Sequence, residues 1–272
     1  MYSVLIPVDR NGARASNQAS YVSQLPDATA AVEATVLYVM PPDEFAAAEE
    51  VAFGDVDAAV QAAEQLEEAG ISVTRTVADG GVAQQILRTA SELDSDEIVV
   101  GGRKRSGVSK VLLGSTAQDV LLSADRPVTI TGERGVLGDG IRQVLVPVDT
   151  SEERARNQAA YLASLPNAPE SVEATVLFVF PHQDYKGAPP HEFEEVDAAV
   201  AAAERLEAAG IPVERVAVGG EVGPKILDAA TDRDADSIVM GGRRRSGVSK
   251  VLLGSTTQDI MLAAERPVTL TG

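Results

Sequence analysis

The 272-residue chain has no cysteine and no tryptophan, only two histidines (His182 and His191), and five lysines (Lys104, Lys110, Lys186, Lys225 and Lys250). Without cysteine there is no disulfide, no thiolate metal site and no cysteine nucleophile. Long apolar runs are also missing. Val4-Leu5-Ile6 and Ile98-Val99-Val100 are typical lengths, far below the roughly 18 residues of a membrane span. The opening MYSVLIPVDR enters a strand-like stretch without a basic lead or small-residue cleavage site, so a cytoplasmic location is expected. Basic residues are scarce overall: 23 Lys and Arg against 41 Asp and Glu leave a net charge of −18. A field of that sign repels nucleic acid and anionic lipid, and neither is expected as a partner. Few lysines amid abundant acids suit a halophile's salty cytoplasm, though an ordinary acidic protein has the same balance. There is no Gly-Lys-Ser/Thr pair for a P-loop and no nucleophile flanked by histidine. No catalytic constellation is therefore expected.

What is present is an internal repeat. Adding 140 to a position in the first half finds its counterpart in the second without insertion or deletion. Val4-Leu5-Ile6-Pro7-Val8-Asp9 matches Val144-Leu145-Val146-Pro147-Val148-Asp149, and Val32 to Leu37 recurs at Val172 to Leu177. Residues 1–132 and 141–272 share 73 identities, a little over half, so each half reads as one domain of a common fold. The linker 133–140 contains three glycines and spans at most about 26 Å when extended. The two domains must lie side by side.

Within a repeat, strand and helix periodicities alternate. Strands are predicted over 3–9, 32–39, 71–78, 96–101 and, after Pro127, through Thr131; helices are predicted over 11–25, 55–69, 82–93 and about 115–124. Five strands alternating with four helices predict an α/β fold, a parallel sheet with helices on both faces. The runs at 4–6 and 98–100 suit central strands buried on both sides. Val128-Thr129-Ile130-Thr131 alternates as an edge or cross-domain strand would. These constraints give the order 3-2-1-4-5, with a topological switch between the first and fourth strands, where open α/β sheets bind ligands.

Those two strand ends carry Pro7-Val8-Asp9 and a Gly101-Gly102-Arg103-Lys104-Arg105-Ser106-Gly107 loop that leads to Gly114-Ser115-Thr116 at a helix start. From 101 to 120, 17 of 20 residues recur in the second half. Between Glu97 and Asp119 there are four basic residues and no acid, and the same holds between Asp236 and Asp259. Free amides, hydroxyls and the positive end of a helix dipole attract anions, so a phosphate-bearing ligand is one reading. The other makes Thr116 a helix cap with Asp119 in a capping box and the basic residues a solvated patch. Asp9 has a similar alternative as a cap for the first helix. The two histidines, and the loose glycine cluster Gly219-Gly220-Glu221-Val222-Gly223, read as surface residues and a helix entry.

The strand ending Pro-Val-Asp, the Val-Leu-Tyr-Val second strand, the glycine loop before Leu-Leu-Gly-Ser-Thr and the closing Arg-Pro-Val-Thr strand together resemble the universal stress protein family in tandem form, over nearly the whole chain. The resemblance implies an adenine nucleotide alpha hydrolase-like fold and ATP as ligand, with Mg2+ as its companion. ATP-binding members carry Gly-x-x-Gly, nine residues, then Gly-Ser or Gly-Thr. Gly101, Gly114 and Ser115 fit that pattern, and Lys104 replaces the second glycine; Gly241, Gly254 and Ser255 fit it again, with Arg244 in the same departure. A long side chain there could obstruct phosphate or fold over and neutralise it. By the resemblance, Asp9 and Asp149 contact the adenosine part, Val39 and Val179 line the adenine pocket, and Pro7 and Pro147 belong to the cofactor-binding residues. Gly101, Gly114, Ser115, Thr116, Gly241, Gly254, Ser255 and Thr256 hold ribose and phosphates.

The implied function is a nucleotide-binding stress protein read by protein partners, with at most slow ATP hydrolysis. The alternative is a tandem protein-interaction module that has lost ATP. The exposed alternation of the last strands predicts that the halves pack as a pseudo-symmetric pair through them, and homodimers of the whole chain are compatible with this.

Overall fold

The apolar run at 4–6 forms the middle of a sheet. A computed structural model describes residues 1–42, 51–104, 111–112, 114–132, 140–181, 191–244, 251–252 and 254–272, with the backbone alone at 103–104, 111–112, 243–244 and 251–252. Val4, Leu5 and Ile6 are fully buried, and their alternate side chains serve opposite faces. Val4 and Ile6 join the core beneath the helices Gly12–Ser23 and Asp57–Glu68. Leu5 joins the core beneath Val82–Glu92 and Ser115–Ser123.

The first half contains β1 (Tyr2–Val8), β2 (Val32–Met40), β3 (Ser72–Asp79), β4 (Glu97–Gly101), a small antiparallel hairpin of β5 (Arg103–Lys104) and β6 (Val111–Leu112), and β7 (Val128–Thr131). The second repeats it as β8 (Arg142–Val148), β9 (Val172–Phe180), β10 (Val213–Gly219), β11 (Ser237–Gly241), β12 (Arg243–Arg244), β13 (Val251–Leu252) and β14 (Val268–Thr271). Each half lays its main strands in the expected 3-2-1-4-5 order, all parallel, and β7 pairs antiparallel with β14, giving one ten-stranded sheet.

The helices follow from sequence. Asp57–Glu68 places Ala58, Ala59, Ala62, Ala63 and Leu66 on the buried stripe, where small side chains let the helix Gly12–Ser23 pack closely. Gly70 then stops it at φ +82°, with its amide on Glu67 O and the Ile71 amide on Leu66 O, a closure that glycine permits without strain.

Three features depart from expectation. The hairpins β5–β6 and β12–β13 sit inside the basic loops. Each return strand lies beside the last helix of the other half: Val111–Leu112 by Ser255–Ala263, and Val251–Leu252 by Ser115–Ser123. Secondly, the last strands pair across the halves as expected, but Thr129 and Thr131 leave no exposed polar face and are buried. Burial is tolerable because both hydroxyls are hydrogen-bonded; Thr129 meets Thr269 with oxygens 2.6 Å apart, and Thr131 donates to Val100 O at 3.5 Å. Thirdly, the short helices Ala28–Ala31 and Ala168–Ser171 were not foreseen. Linker residues 133–139 lie outside the described residues.

Candidate functional site

The site begins where two central strands part. β1 and β4 pair only at Val4–Glu97 and Leu5–Ile98. Beyond that point the buried Gln18 spans the gap, its Nε2 donating to Pro7 O and Val99 O, both at 2.8 Å. Gln158 does the same between Pro147 O and Val239 O, at 2.8 and 2.9 Å. The separation opens a crevice at the carboxyl ends of the strands.

In the first half the crevice is a cavity of about 450 Å³. Its walls are Pro7 to Asn11, Arg14 and Gln18 on one side, Tyr38, Val39 and Pro41 on a second, Val82 and Ile86 beneath, and Val100, Gly101, Gly114, Thr116 and Ala117 on the far side. Pro7, Asp9, Val39, Gly101, Gly114 and Thr116, which the resemblance singled out, are thus assembled around one space. Ser115 is exposed at the helix start and stands outside this lining. Lys104 belongs to β5 by its backbone; its side chain, like that of Arg244, lies outside the described residues.

Asp9 is not the sequestered carboxylate that a buried strand end suggests. Its side chain is 44% exposed, pairs with Arg14, and accepts the Asn11 amide at 2.9 Å. The cap of the first helix is Asn11, whose side chain accepts the Arg14 amide at 2.9 Å. Thr116 is not a cap either: Gly114 occupies that position with no side-chain bond, and the helix begins at Ser115. The capping box with Asp119 is therefore absent, leaving the helix start to present backbone amides. Gly101 has a packing reason of its own. A Cβ there would sit 3.0 Å from the Arg14 Cβ, and at Gly241 it would sit 2.8 Å from the Arg154 Cβ. The bare backbone lets the arginine cross beside it to reach the aspartate.

The second half builds a smaller cavity, about 250 Å³, lined by Pro147, Val148, Asp149, Arg154, Gln158, Val222, Ile226, Met240, Gly241 and Gly254 to Thr257. Asp149 accepts from Arg154 Nε at 2.8 Å and from the Ser151 amide at 2.9 Å. Here Ser255 and Thr256 are in the lining, and Val179 is buried in the core without reaching it. The end of β2 contributes Tyr38, Val39 and Pro41 to the first cavity, whereas Phe178, Val179 and Pro181 are missing from the described lining of the second. Phe178 packs edge-on against Phe180 at 4.7 Å, and Phe180 stacks on the exposed His191 at 4.4 Å. Tyr38 instead carries the Arg10 guanidinium 5.3 Å from its ring centroid; Arg10 is Thr150 in the second half.

Sequence reasoning missed Arg14, Gln18, Tyr38, Val82 and Ile86. A signal existed for the first two, since Arg14 and Gln18 recur as Arg154 and Gln158, along with Asn17 as Asn157, on a helix whose serines at 16, 20 and 23 are not kept. His182 lies outside the described residues.

A doubly wound sheet with a polar-lipped, apolar-walled crevice at its switch point defines an open α/β fold with a cleft where such sheets take ligands, here present twice in one chain. The family model for the universal stress protein family matches residues 1–132 and again 140–272, and the chain belongs to that family. A universal stress protein from Mycolicibacterium smegmatis is 39% identical over 64 residues, which are 23% of this chain and 49% of that protein; the match spans about half of that relative's length. A universal stress protein from Archaeoglobus fulgidus superposes with a TM-score of 0.72 over 99% of this chain and 98% of that one, at 23% identity, a likeness of fold. No helix among the described residues is long and apolar enough to cross a membrane.

Proposed function

We propose that this protein binds an adenine nucleotide, with ATP the expected form, and that the nucleotide state is read by protein partners in a cytoplasmic stress response. The observation that carries this reading is the first-half cavity. At about 450 Å³ it falls within the usual range of small-molecule sites, about 300–1,000 Å³, and its composition fits a nucleotide. Val39, Val82 and Ile86 offer apolar walls for a base, Asp9 an acceptor for ribose hydroxyls, and the Gly114–Ala117 helix start its amides for phosphate. Arg14 and the basic loop around Lys104 supply positive charge in a chain of net −18. In this reading Mg2+ accompanies the phosphates of the nucleotide.

The second cavity, about 250 Å³, falls below that range. The repeat alone suggests up to two sites per chain, and the difference in volume favours one, in the first half. Isothermal titration with ATP, ADP and AMP, in molar KCl and in dilute buffer, tests the reading. One nucleotide per chain is expected. Two equal sites would mean that the second cavity opens on binding. No saturable heat in either buffer would defeat the reading and favour an ATP-independent interaction module, whose basic loops would meet an acidic partner.

A further inference from the structure

The chain departs from its own repeat at two buried positions in the seam between the halves. Tyr2 and Glu97 in the first half correspond to Arg142 and Ser237 in the second, and all four are buried. Around them the seam is symmetric. Tyr21 meets Tyr161 with hydroxyl oxygens 3.3 Å apart, and Thr129 meets Thr269 at 2.6 Å. The Glu97 carboxylate occupies this hydroxyl cluster. Its Oε1 accepts from Tyr21 at 3.0 Å and from Thr129, and its Oε2 accepts from Tyr2 at 3.0 Å and, across the seam, from Tyr161 at 3.2 Å. Arg142 reaches across in the opposite direction, its guanidinium 5.1 Å from the centroid of the Tyr21 ring. One tyrosine therefore holds the carboxylate at its hydroxyl and the cation on its face.

We propose that this asymmetric pair makes the seam selective, so that a first half accepts a second half and rejects another first half. The argument rests on what each pairing would bury. Two first halves would bring two Glu97 carboxylates to one tyrosine pair with no cation, and like charges in a dry site oppose each other strongly. Two second halves would bring two Arg142 guanidiniums with no carboxylate. Arg142 Nε and Nη2 have no hydrogen-bond partner among the described residues; its guanidinium lies on the Tyr21 ring and its charge favours the Glu97 carboxylate, and an uncompensated buried charge is costly. The tyrosines and threonines would fit any combination. Discrimination falls to the two positions where a buried charge stands in one half only, as specificity built from the penalty on wrong partners requires. The paired edge strands alone could not supply it, because main-chain hydrogen bonding is indifferent to which strand is offered. This inference is independent of nucleotide binding.

The full chain tests it with three variants, measured at pH 8. Tyr2→Arg with Glu97→Ser makes both halves of the arginine type, and Arg142→Tyr with Ser237→Glu makes both of the glutamate type. The four changes together exchange the two types between halves. Each double variant should lose about 100-fold or more in its folding equilibrium constant by urea unfolding, whereas the fourfold variant should recover most of that loss. Co-refolding the two double variants in equal amounts should also give a one-to-one complex of twice the chain mass by native mass spectrometry, because each chain then finds the opposite type only in the other. A fourfold variant no more stable than the weaker double variant overturns the proposal, even if both double variants fail to fold. A mixture giving no more complex than either variant alone overturns it as well.

Discussion

Replacing Asp9 by Asn changes one atom of the first cavity's lip and should weaken adenosine and ATP binding without unfolding the chain. The carboxylate is 44% exposed and its partner Arg14 is 24% exposed, and ion pairs of that exposure contribute about 0–1 kcal/mol to stability. The fold should survive. A hydrogen bond from a ribose hydroxyl to an ionised carboxylate is worth about 1.5–3 kcal/mol, and 1.4 kcal/mol is a factor of ten in affinity. Asp9→Asn should therefore raise the dissociation constant about 10- to 150-fold by those same magnitudes. Adenosine should lose more than ATP, because the substitution also releases Arg14 from its carboxylate, and a guanidinium beside the cavity can then serve phosphate. Asp149→Asn, at the lip of the smaller cavity, is the control and should leave the titration nearly unchanged. The reasoning is refuted if Asp9→Asn binds within threefold of the parent while circular dichroism and melting are intact, or if Asp149→Asn loses as much.

Burial raises the Glu97 pKa, while hydrogen bonds from Thr129, Tyr2 and Tyr21 and the charge of Arg142 oppose that rise. As pH climbs, the unfolded chain gives up this proton first. The contribution to stability is thus full below the ordinary carboxylate pKa of about 4.3 and is lost as pH rises through the folded value. Glu97→Gln, which cannot ionise, should flatten that part of the urea-unfolding profile, and an unchanged slope would contradict the assignment. Cysteines at Thr129 and Thr269, which are direct antiparallel partners, should form an intramolecular disulfide on oxidation, since facing Cβ atoms in such pairs lie about 4.5–5.5 Å apart. A product that is only intermolecular on a non-reducing gel would place the seam elsewhere. Glycine at both Lys104 and Arg244 should weaken ATP binding by titration if these side chains grip phosphate, the reading favoured by retention of charge as Lys in one half and Arg in the other. Tighter binding would mean that they obstruct it.

The order of the central strands was legible because burial on both faces leaves a mark that exposure does not. Val4-Leu5-Ile6 and Ile98-Val99-Val100 are unbroken apolar runs, and they occupy the middle of the first half, as Val144-Leu145-Val146 and Ile238-Val239-Met240 do in the second. The last strand was legible only in part. Val128-Thr129-Ile130-Thr131 has the alternation of a half-exposed strand, yet all four residues are buried. Threonine can be satisfied by carbonyls, hydroxyls or a carboxylate as readily as by water, so its polarity does not report exposure. For the same reason nothing local marked Glu97 as buried. Its partners Tyr2, Tyr21, Thr129 and Tyr161 come from four separate elements and both halves, and a side chain solvated by distant hydroxyls looks like a surface residue until the chain is folded.

The lip of the crevice shows the same division. Pro7, Asp9, Gly101, Gly114 and Thr116 stand out because they cluster at strand ends and helix starts, where local chemistry is unusual. Arg14 and Gln18 do not, because each sits on an amphipathic helix among ordinary polar neighbours and acquires its role from what lies across the gap. Gln18 reaches two backbone carbonyls on strands that have ceased to pair with each other, and Arg14 reaches Asp9 past a glycine. The second half supplies a comparison that a single domain would not. Asp149, Arg154, Gln158 and Gly241 repeat that arrangement, yet the cavity above them is little more than half as large. The shared residues therefore set the parting of the strands, and the residues that vary around it, Tyr38 against Phe178 and Arg10 against Thr150, accompany the difference in the space available to a ligand.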